Sequence, residues 1–441
     1  MPSTPSGLVP YRPGSRLDRV VAGLAPWTIE ERDNLETMRG MPDRCCSAVV
    51  TDPPGGTGFM QEGWDGDRGG RDRWIGWLAE RMAEARRVCV PGAMSITWSF
   101  PRTSHWTGMA IEDAGWFITA QIIHLFAQGR PVPPYGLKPA AETWWVAQAP
   151  LGGTREEDRA AWGTGGLQIE AARQRPQGEK EYGLAPARWP CTVVCSHAPG
   201  CRRTGVAAVP GDRRRGGGKR PAGFGNVGAD KGDGRPCSSG YAGDDGLERF
   251  EAWECVEGCP ARELDLQAGV RKSGAYSGKR RADRERHAYG SFAGTPEGRG
   301  SAGSEGPASR YFPQFAADME ALELESRFVY ATKVRGRKRD IVLPDGTIRR
   351  NSHPTVKNVY LCDYLCALAC PPGGLVLDPF AGTGSIGVAA LRRGMRYLGC
   401  ENDAEHDPRF AEVARWRLSR PWAGVGGLQE RPGAAFGMEV P

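Results

Sequence analysis

The 441-residue chain predicts an α/β protein built on a doubly wound, mostly parallel sheet and interrupted by an irregular inserted domain. Three observations carry this reading. Strand and helix patterns alternate over residues 31–150. A strand-turn-helix pattern returns at Gly374 to Arg393. Between the two lies a stretch too rich in Gly, Arg, Ser and Asp to fill a core.

Taken in order, Asp43 to Asp52 is a short β-branched run that stops at Pro53-Pro54 and two glycines, which predicts a buried strand ending in a loop. Arg71 to Val88 repeats apolar residues at helical spacing through Trp74, Leu78, Met82 and Ala85, and Pro91-Gly92 is expected to terminate it. Ala93 to Trp98, Thr119 to Phe126 and Glu142 to Ala149 read as further strands. Order resumes at Phe328 to Lys333. Leu375 to Leu377 then ends in Asp378 and turns through glycines into a helix over Ile386 to Arg393, and Arg396 to Cys400 is the next strand.

Composition narrows the possibilities. The 62 glycines are about twice the ordinary ~7%, and 35 prolines add to them, so much of the chain should be loop. A net charge of +6 favours polyanionic partners without establishing one. No apolar run approaches the ~18 residues of a membrane span, so the sequence reads as a soluble, cytoplasmic protein, and its 13 cysteines as thiols or metal ligands rather than disulfides.

Two patterns carry chemistry. In Asp378-Pro379-Phe380-Ala381-Gly382-Thr383-Gly384-Ser385 the glycines let the backbone approach a ligand at a helix N-terminus, and Asp378 can accept a hydrogen bond from an amino group. Glu401, followed by Asn402, ends the next strand about twenty residues on, where a carboxylate would grip a ribose diol. The second pattern is Asp52-Pro53-Pro54. Proline fixes φ, so the Asp52 carboxylate and the Pro53 carbonyl are held rigidly and can together accept both hydrogens of an aromatic amine.

Together, in this order and on strand ends, the two patterns resemble the DNA amino-methyltransferases. Their tetrad is Asp/Asn/Ser-Pro-Pro-aromatic and their cofactor loop Asp-x-Phe-x-Gly-x-Gly, matched in full by Asp378 to Gly384. A tetrad ahead of the loop, with a long variable region between, is the order of the circularly permuted β group. Leu35 to Asp43, Val90-Pro-Gly92 and His353-Pro-Thr-Val-Lys357 also resemble family motifs, the last ending in Asn358 where relatives have proline. Phe59-Met60 to Trp64-Asp65 and Pro101 to Trp106 look like versions carried by bacteriophages and mobile elements. Gly55 departs from the tetrad, because relatives place there an aromatic that stacks on the flipped base. Phe59, Trp64 and Trp98 are the rings that could substitute.

The resemblance implies a Rossmann-like S-adenosylmethionine-dependent methyltransferase fold, permuted, and a site-specific enzyme that methylates an exocyclic amine of double-stranded DNA. Adenine N6 is favoured by the leading Asp52. Cytosine N4, an RNA substrate, or a non-catalytic nucleic-acid-binding protein on a decayed fold are the alternatives. By the same resemblance Asp52, Pro53 and Pro54 are catalytic and Asp378 to Ser385 line the cofactor. Glu401 and Asn402 hold its ribose side, and Thr355 or Lys357 its carboxylate. Arg102 and the cluster Arg213, Arg214 and Arg215 would contact DNA. The domains expected are an extension over 1–30, a catalytic half over 31–150 and a target-recognition insert over 151–328. A cofactor half over 329–420 and a flexible tail over 421–441 complete the chain. Oligomeric state, monomer or dimer, stays open, as does the choice between host evasion and partnership with a restriction enzyme.

Within the insert, His197-x3-Cys201 and Cys255-x3-Cys259 form two short pairs, with Cys191, Cys195 and Cys237 nearby. Two such pairs could complete a tetrahedral zinc site, although the spacing is not that of a standard zinc finger. Free thiols are the competing reading.

Overall fold

In the computed structural model, the residues described are 14–58, 63–126, 137, 140–173, 188–210, 245–272, 304–317, 356–402 and 409–420. The backbone of two short hairpins is also described, Arg284–Arg286 with Gly290–Phe292 and Asp340–Val342 with Ile348–Arg350. The first part of the chain gives α1 (Arg16–Val21), β1 (Trp27–Glu31), α2 (Asn34–Arg39), β2 (Cys46–Thr51), α3 (Arg71–Val88), β3 (Cys89–Ser99), α4 (Ser104–Asp113), β4 (Phe117–Leu125) and β5 (Ala141–Gln148). The middle gives α5 (Arg155–Trp162), α6 (Ile169–Ala172), β6 (Val193–Ser196), β7 (Arg202–Pro210), β8 (Leu247–Glu254), α7 (Pro260–Ala268), β9 (Val270–Lys272), β10 (Glu305–Pro307) and β11 (Gln314–Phe315). The last part gives α8 (Val359–Ala369), β12 (Leu375–Asp378), α9 (Ser385–Arg392), β13 (Arg396–Glu401) and α10 (Arg409–Ser419).

Nine strands form one sheet in the order β1-β13-β12-β2-β3-β5-β4-β6-β11, and among them β5 alone runs against the others. Side-chain alternation builds the layers on each face. Leu375 and Leu377 pack with Leu17, Met38, Leu78 and Ile111 of α1 to α4, whereas Val376 packs with Leu365, Val388 and Ala414 of α8 to α10. Strands covered on both faces read as continuous apolar runs, which is why β2 and β12 were visible in the sequence. The architecture is therefore the doubly wound α/β/α sheet expected.

Several boundaries differ from expectation. Pro91-Gly92 lies inside β3 rather than before it. The β2–β3 register jumps from Cys46↔Cys89 to Ala48↔Met94, so the Pro-Gly pair is looped out as an irregularity. It is held by Gly92 N–H donating to Pro150 O at 3.0 Å and by Thr164 Oγ1 on Pro91 O at 2.6 Å. The extension read over 1–30 is too long, because α1 packs in the core and β1 is the sheet edge beside β13. A five-residue strand that is only half apolar gives little pattern to find. The insert is likewise not separate: its β6 and β11 continue the sheet beyond β4. The ordered stretch expected at Phe328 to Lys333 and the tail over 421–441 lie outside the described residues.

Candidate active site

Chain connections leave β12 and β2 in opposite directions. From β12 the chain runs through α9 to β13 on one side, and from β2 through α3 to β3 on the other. The crevice outside the carboxyl ends of two such neighbours is where open α/β sheets bind ligands. The two sequence patterns meet there: Val376 pairs with Ala48 and Leu377 with Val49, and Thr51 Oγ1 donates to Asp378 Oδ1 at 2.7 Å.

Asp378 is fully buried and accepts further bonds from Tyr397 OH at 3.0 Å and Phe380 N–H at 3.3 Å. Burial pushes its carboxyl up to about 7, against these hydrogen bonds. Its oxygens thus tie β12, β2 and β13 together beneath the turn. Above it, Gly382 and Gly384 take φ of +49° and +75°, and a Cβ on Gly384 would lie 3.1 Å from Ala414 Cβ. Glu401, at the end of β13, accepts from Gly382 N–H at 2.7 Å, so the glycine turn and the carboxylate expected to hold a ribose are in contact. Asn402 follows, partly exposed. Thr383 and Ser385 face inward, where the fully buried Arg417 donates to Thr383 O at 2.8 Å and Ser385 Oγ at 3.0 Å. Asn34 Nδ2 donates to Pro379 O at 2.8 Å, and the Phe380 ring lies 5.6 Å from that of Trp77. Ala381 is buried beneath the turn.

Asp52 stands at the mouth beside a cation. Lys357 Nζ lies 3.2 Å from Asp52 Oδ2, 3.6 Å from Glu142 Oε2 and 3.9 Å above the Trp98 ring. Burial pushes the Asp52 carboxyl up to about 6, with Lys357 opposing. Glu142 on β5 accepts from Trp98 Nε1 at 2.7 Å and pairs with His124 Nδ1 at 2.8 Å, while His124 Nε2 meets Ser196 Oγ at 2.8 Å. Burial would raise Glu142, but Lys357 and His124 outweigh it and hold that carboxyl well below the usual range. The Lys357 ammonium therefore faces the Asp-Pro-Pro carboxylate. Thr355 lies outside the described residues.

Gly55 has a structural reason. A Cβ there would lie 3.1 Å from Phe100 Cβ and 3.4 Å from Asp65 Oδ1, so the space that an aromatic would need is taken. The backbone is also pinned, by Gly55 N–H donating to Asp65 Oδ1 and Thr103 Oγ1 donating to Gly55 O at 2.6 Å. Of the three substitute rings, Trp98 is within reach of Asp52 through Lys357, and Trp64 is half-buried on the loop after the tetrad. Phe59 lies outside the described residues. Arg102 is exposed just past the end of β3, at the carboxyl edge of the sheet. Arg213, Arg214 and Arg215 lie outside the described residues. Asn358, where relatives have proline, caps α8, its Oδ1 accepting from Tyr360 N–H at 2.8 Å and Leu361 N–H at 3.2 Å.

With both patterns placed on neighbouring strand ends, similarity to known proteins can be set beside them: residues 319–410 match the family described as DNA methylase. This stretch of the chain is thus similar to DNA methylases. The type II methyltransferase M2.DpnII of Streptococcus pneumoniae is 38% identical over 66 residues, 15% of this chain and 23% of that protein. The methylase YubD of Escherichia coli (strain K12) is 51% identical over 49 residues, 11% of this chain and 22% of that protein. The chain thus aligns with less than a quarter of the length of those curated relatives. Among solved structures it superposes on the PvuII DNA methyltransferase (cytosine-N4-specific), with a TM-score of 0.42 and 10% identity, covering 90% of this chain and 88% of the other. It also superposes on a DNA modification methylase of Thermus thermophilus complexed with S-adenosyl-L-methionine, with a TM-score of 0.38 and 15% identity, covering 91% and 98%. At these low scores the fold rests on the strand order described above.

Sequence reasoning missed Glu142, His124, Thr51 and Tyr397. Thr51 and Glu142 sit at or near strand ends already recognised, and that was the one available signal.

Proposed function

We propose that this chain is a DNA methylase that transfers a methyl group from S-adenosyl-L-methionine to the exocyclic amine of a flipped-out base in double-stranded DNA, most simply adenine N6, as a cytoplasmic enzyme. The observation that carries it is the meeting of the Asp52 carboxylate and the glycine turn at one switch point, locked by the Thr51–Asp378 hydrogen bond. The residues fit the cofactor: positive-φ glycines leave the approach above Asp378 open, and Glu401 already bonds that turn. When bound, S-adenosyl-L-methionine supplies an electrophilic methyl, and the chain supplies position.

A base amine inside the duplex stack is out of reach, so the base must swing out, at a cost of a few kcal/mol. Asp52 and the Pro53 carbonyl accept its two hydrogens and aim the nitrogen. The nitrogen gains the methyl and must lose one proton. A carboxyl raised to about 6 takes up that proton more readily than an ordinary aspartate, while Lys357 keeps it ionised at neutral pH. Pro54 is half-buried and stiffens the turn. Among the described residues no helix is long and apolar enough to cross a membrane.

The test is to incubate the protein with S-adenosyl-L-methionine and double-stranded DNA, digest the DNA to nucleosides and weigh them. N6-methyldeoxyadenosine is expected. N4-methyldeoxycytidine would move the assignment to cytosine, and cofactor binding without any methylated nucleoside, on varied DNA, would overturn it.

A further inference from the structure

We propose that His197, Cys201, Cys255 and Cys259 bind one zinc ion that clamps the β7–β8 hairpin to the edge of the main sheet. The four donor atoms lie within 4.8 Å of one another, although His197 and Cys259 are 62 residues apart. His197 Nδ1 is 3.4 Å from both Cys255 Sγ and Cys259 Sγ. A tetrahedron with bonds of about 2.3 Å to sulfur and about 2.0 Å to nitrogen has N···S edges of roughly 3.5 Å, so the donors already stand near their bonding separations. Three thiols and one imidazole form a closed structural set, with no position left for a reacting water.

The imidazole is prepared for this role. Its Nε2 lies 3.0 Å from Gln314 Oε1 and donates to it, which leaves Nδ1 as the lone-pair nitrogen facing the sulfurs. The ring stacks on Trp253 at 3.9 Å, and the His197 backbone N–H donates to Phe315 O on β11 at 2.8 Å. The ligands occupy two turns that face each other. Cys201 N–H donates to Ala198 O at 3.1 Å immediately before β7, and Cys259 N–H to Val256 O at 3.3 Å immediately after β8. Cys201 and Cys255 flank Arg202 and Glu254, the cross-strand pair that closes the open end of the hairpin.

Little apolar area holds the hairpin, although Glu248 of β8 is paired with Arg188. None of the nine residues of β7 is buried, and in β8 the buried residue is Glu248. The apolar cluster at its base consists of Ala198, Cys259 and Ala261, with Cys201 and Cys255 alongside. A two-stranded ribbon with so small a core is marginal in water. A metal ion that joins His197, on the sheet, to both ends of the hairpin supplies the missing fixation.

The full-length protein, purified without added metal and passed over a weak chelator, is expected to contain about one zinc per chain by mass spectrometry of the metal. Replacement by cobalt should give the intense visible bands of a tetrahedral site with thiolate charge transfer. Cys255→Ser with Cys259→Ser should lose the metal, and hydrogen exchange in β7 and β8 should then quicken by about tenfold or more while β2 and β12 hold their protection. If that variant does not fold, His197→Cys should still bind one zinc. Metal-free wild-type protein without a cobalt spectrum, or zinc retained by the double variant, overturns the site. Unchanged hairpin exchange after metal loss overturns the clamp.

Discussion

Around the crevice, every residue of β12 and all but one of β2 is buried, and Asp378 is fixed by bonds from Thr51, Tyr397 and Phe380. In the middle region, β7 buries none of its residues, and the groups that fix the surroundings are polar. Arg310, fully buried, donates to Gly306 O and Pro307 O at 2.6 Å and to Arg271 O at 3.0 Å, and Arg188 pairs with Glu248. One region gains its order from apolar area, at roughly 1.5–3 kcal/mol per large side chain, and the other from specific directional bonds. A site that must hold angles over a reaction is placed on the first kind of scaffold. A surface that must vary its contacts can use the second.

The contrast can be broken most sharply at Asp52. Asp52→Ala should lower methyl transfer by about a hundred- to a thousandfold, the cost of removing one oriented polar partner of a transition state. Cofactor affinity and zinc content should stay within about twofold, because the carboxylate touches neither. Substantial remaining transfer would remove Asp52 from the mechanism. A smaller effect is expected at Glu401→Ala, which deletes a charged acceptor of Gly382 N–H. A loss of about 1.5–3 kcal/mol corresponds to roughly ten- to a hundredfold weaker S-adenosyl-L-methionine binding in a calorimetric titration. An unchanged titration would show that the ribose is held elsewhere.

The smallest effect is a shift along the pH axis. Because burial raises Asp52 to about 6, its acceptor form is lost on mild acidification, and the transfer rate should halve near pH 6 and fall about tenfold per unit below. Lys357→Gln removes the opposing charge and should move that limb to higher pH. A limb that does not move would belong to Asp378, raised to about 7 by burial. For stability, both carboxyls are raised above their unfolded values. Their contribution is thus full below about pH 4 and is lost as pH rises through 6 and 7, opposite to that of an ordinary salt-bridged aspartate.

What was legible in the sequence was local. The glycine turn, the Asp-Pro-Pro strand end, α3 and the two pairs His197-x3-Cys201 and Cys255-x3-Cys259 each show themselves within a few neighbours. The contacts of Lys357 with Asp52 and Glu142 were not legible because those partners are far away in sequence and nothing near position 357 names them. The space at Gly55 depends on Phe100 and Asp65, which are likewise found only in three dimensions. Among the strands, β6 and β11 were missed because four and two residues are too few to show a period. Helix α8 was missed because it is buried almost all round, with Tyr360 its one partly exposed residue, and so lacks an amphipathic stripe.

Thr51 and Asp378, which touch at the centre of the sheet, are 327 residues apart along the chain. The entropy of closing so long a loop grows only logarithmically. Relative to a connection of about 20 residues it is about four doublings, or roughly 2.4 kcal/mol, so equilibrium stability hardly registers how much polypeptide is threaded between them. Time registers it instead. During synthesis β2 can pair with β3 soon after both emerge, but its other edge must wait for β12, which is made after the whole middle region. Through that interval an apolar strand edge stands open at the centre of the future sheet, and pairing across so large a sequence separation is slow. The arrangement that lets the middle region lengthen at little thermodynamic cost therefore leaves one edge of β2 without its native partner until the last strands are made.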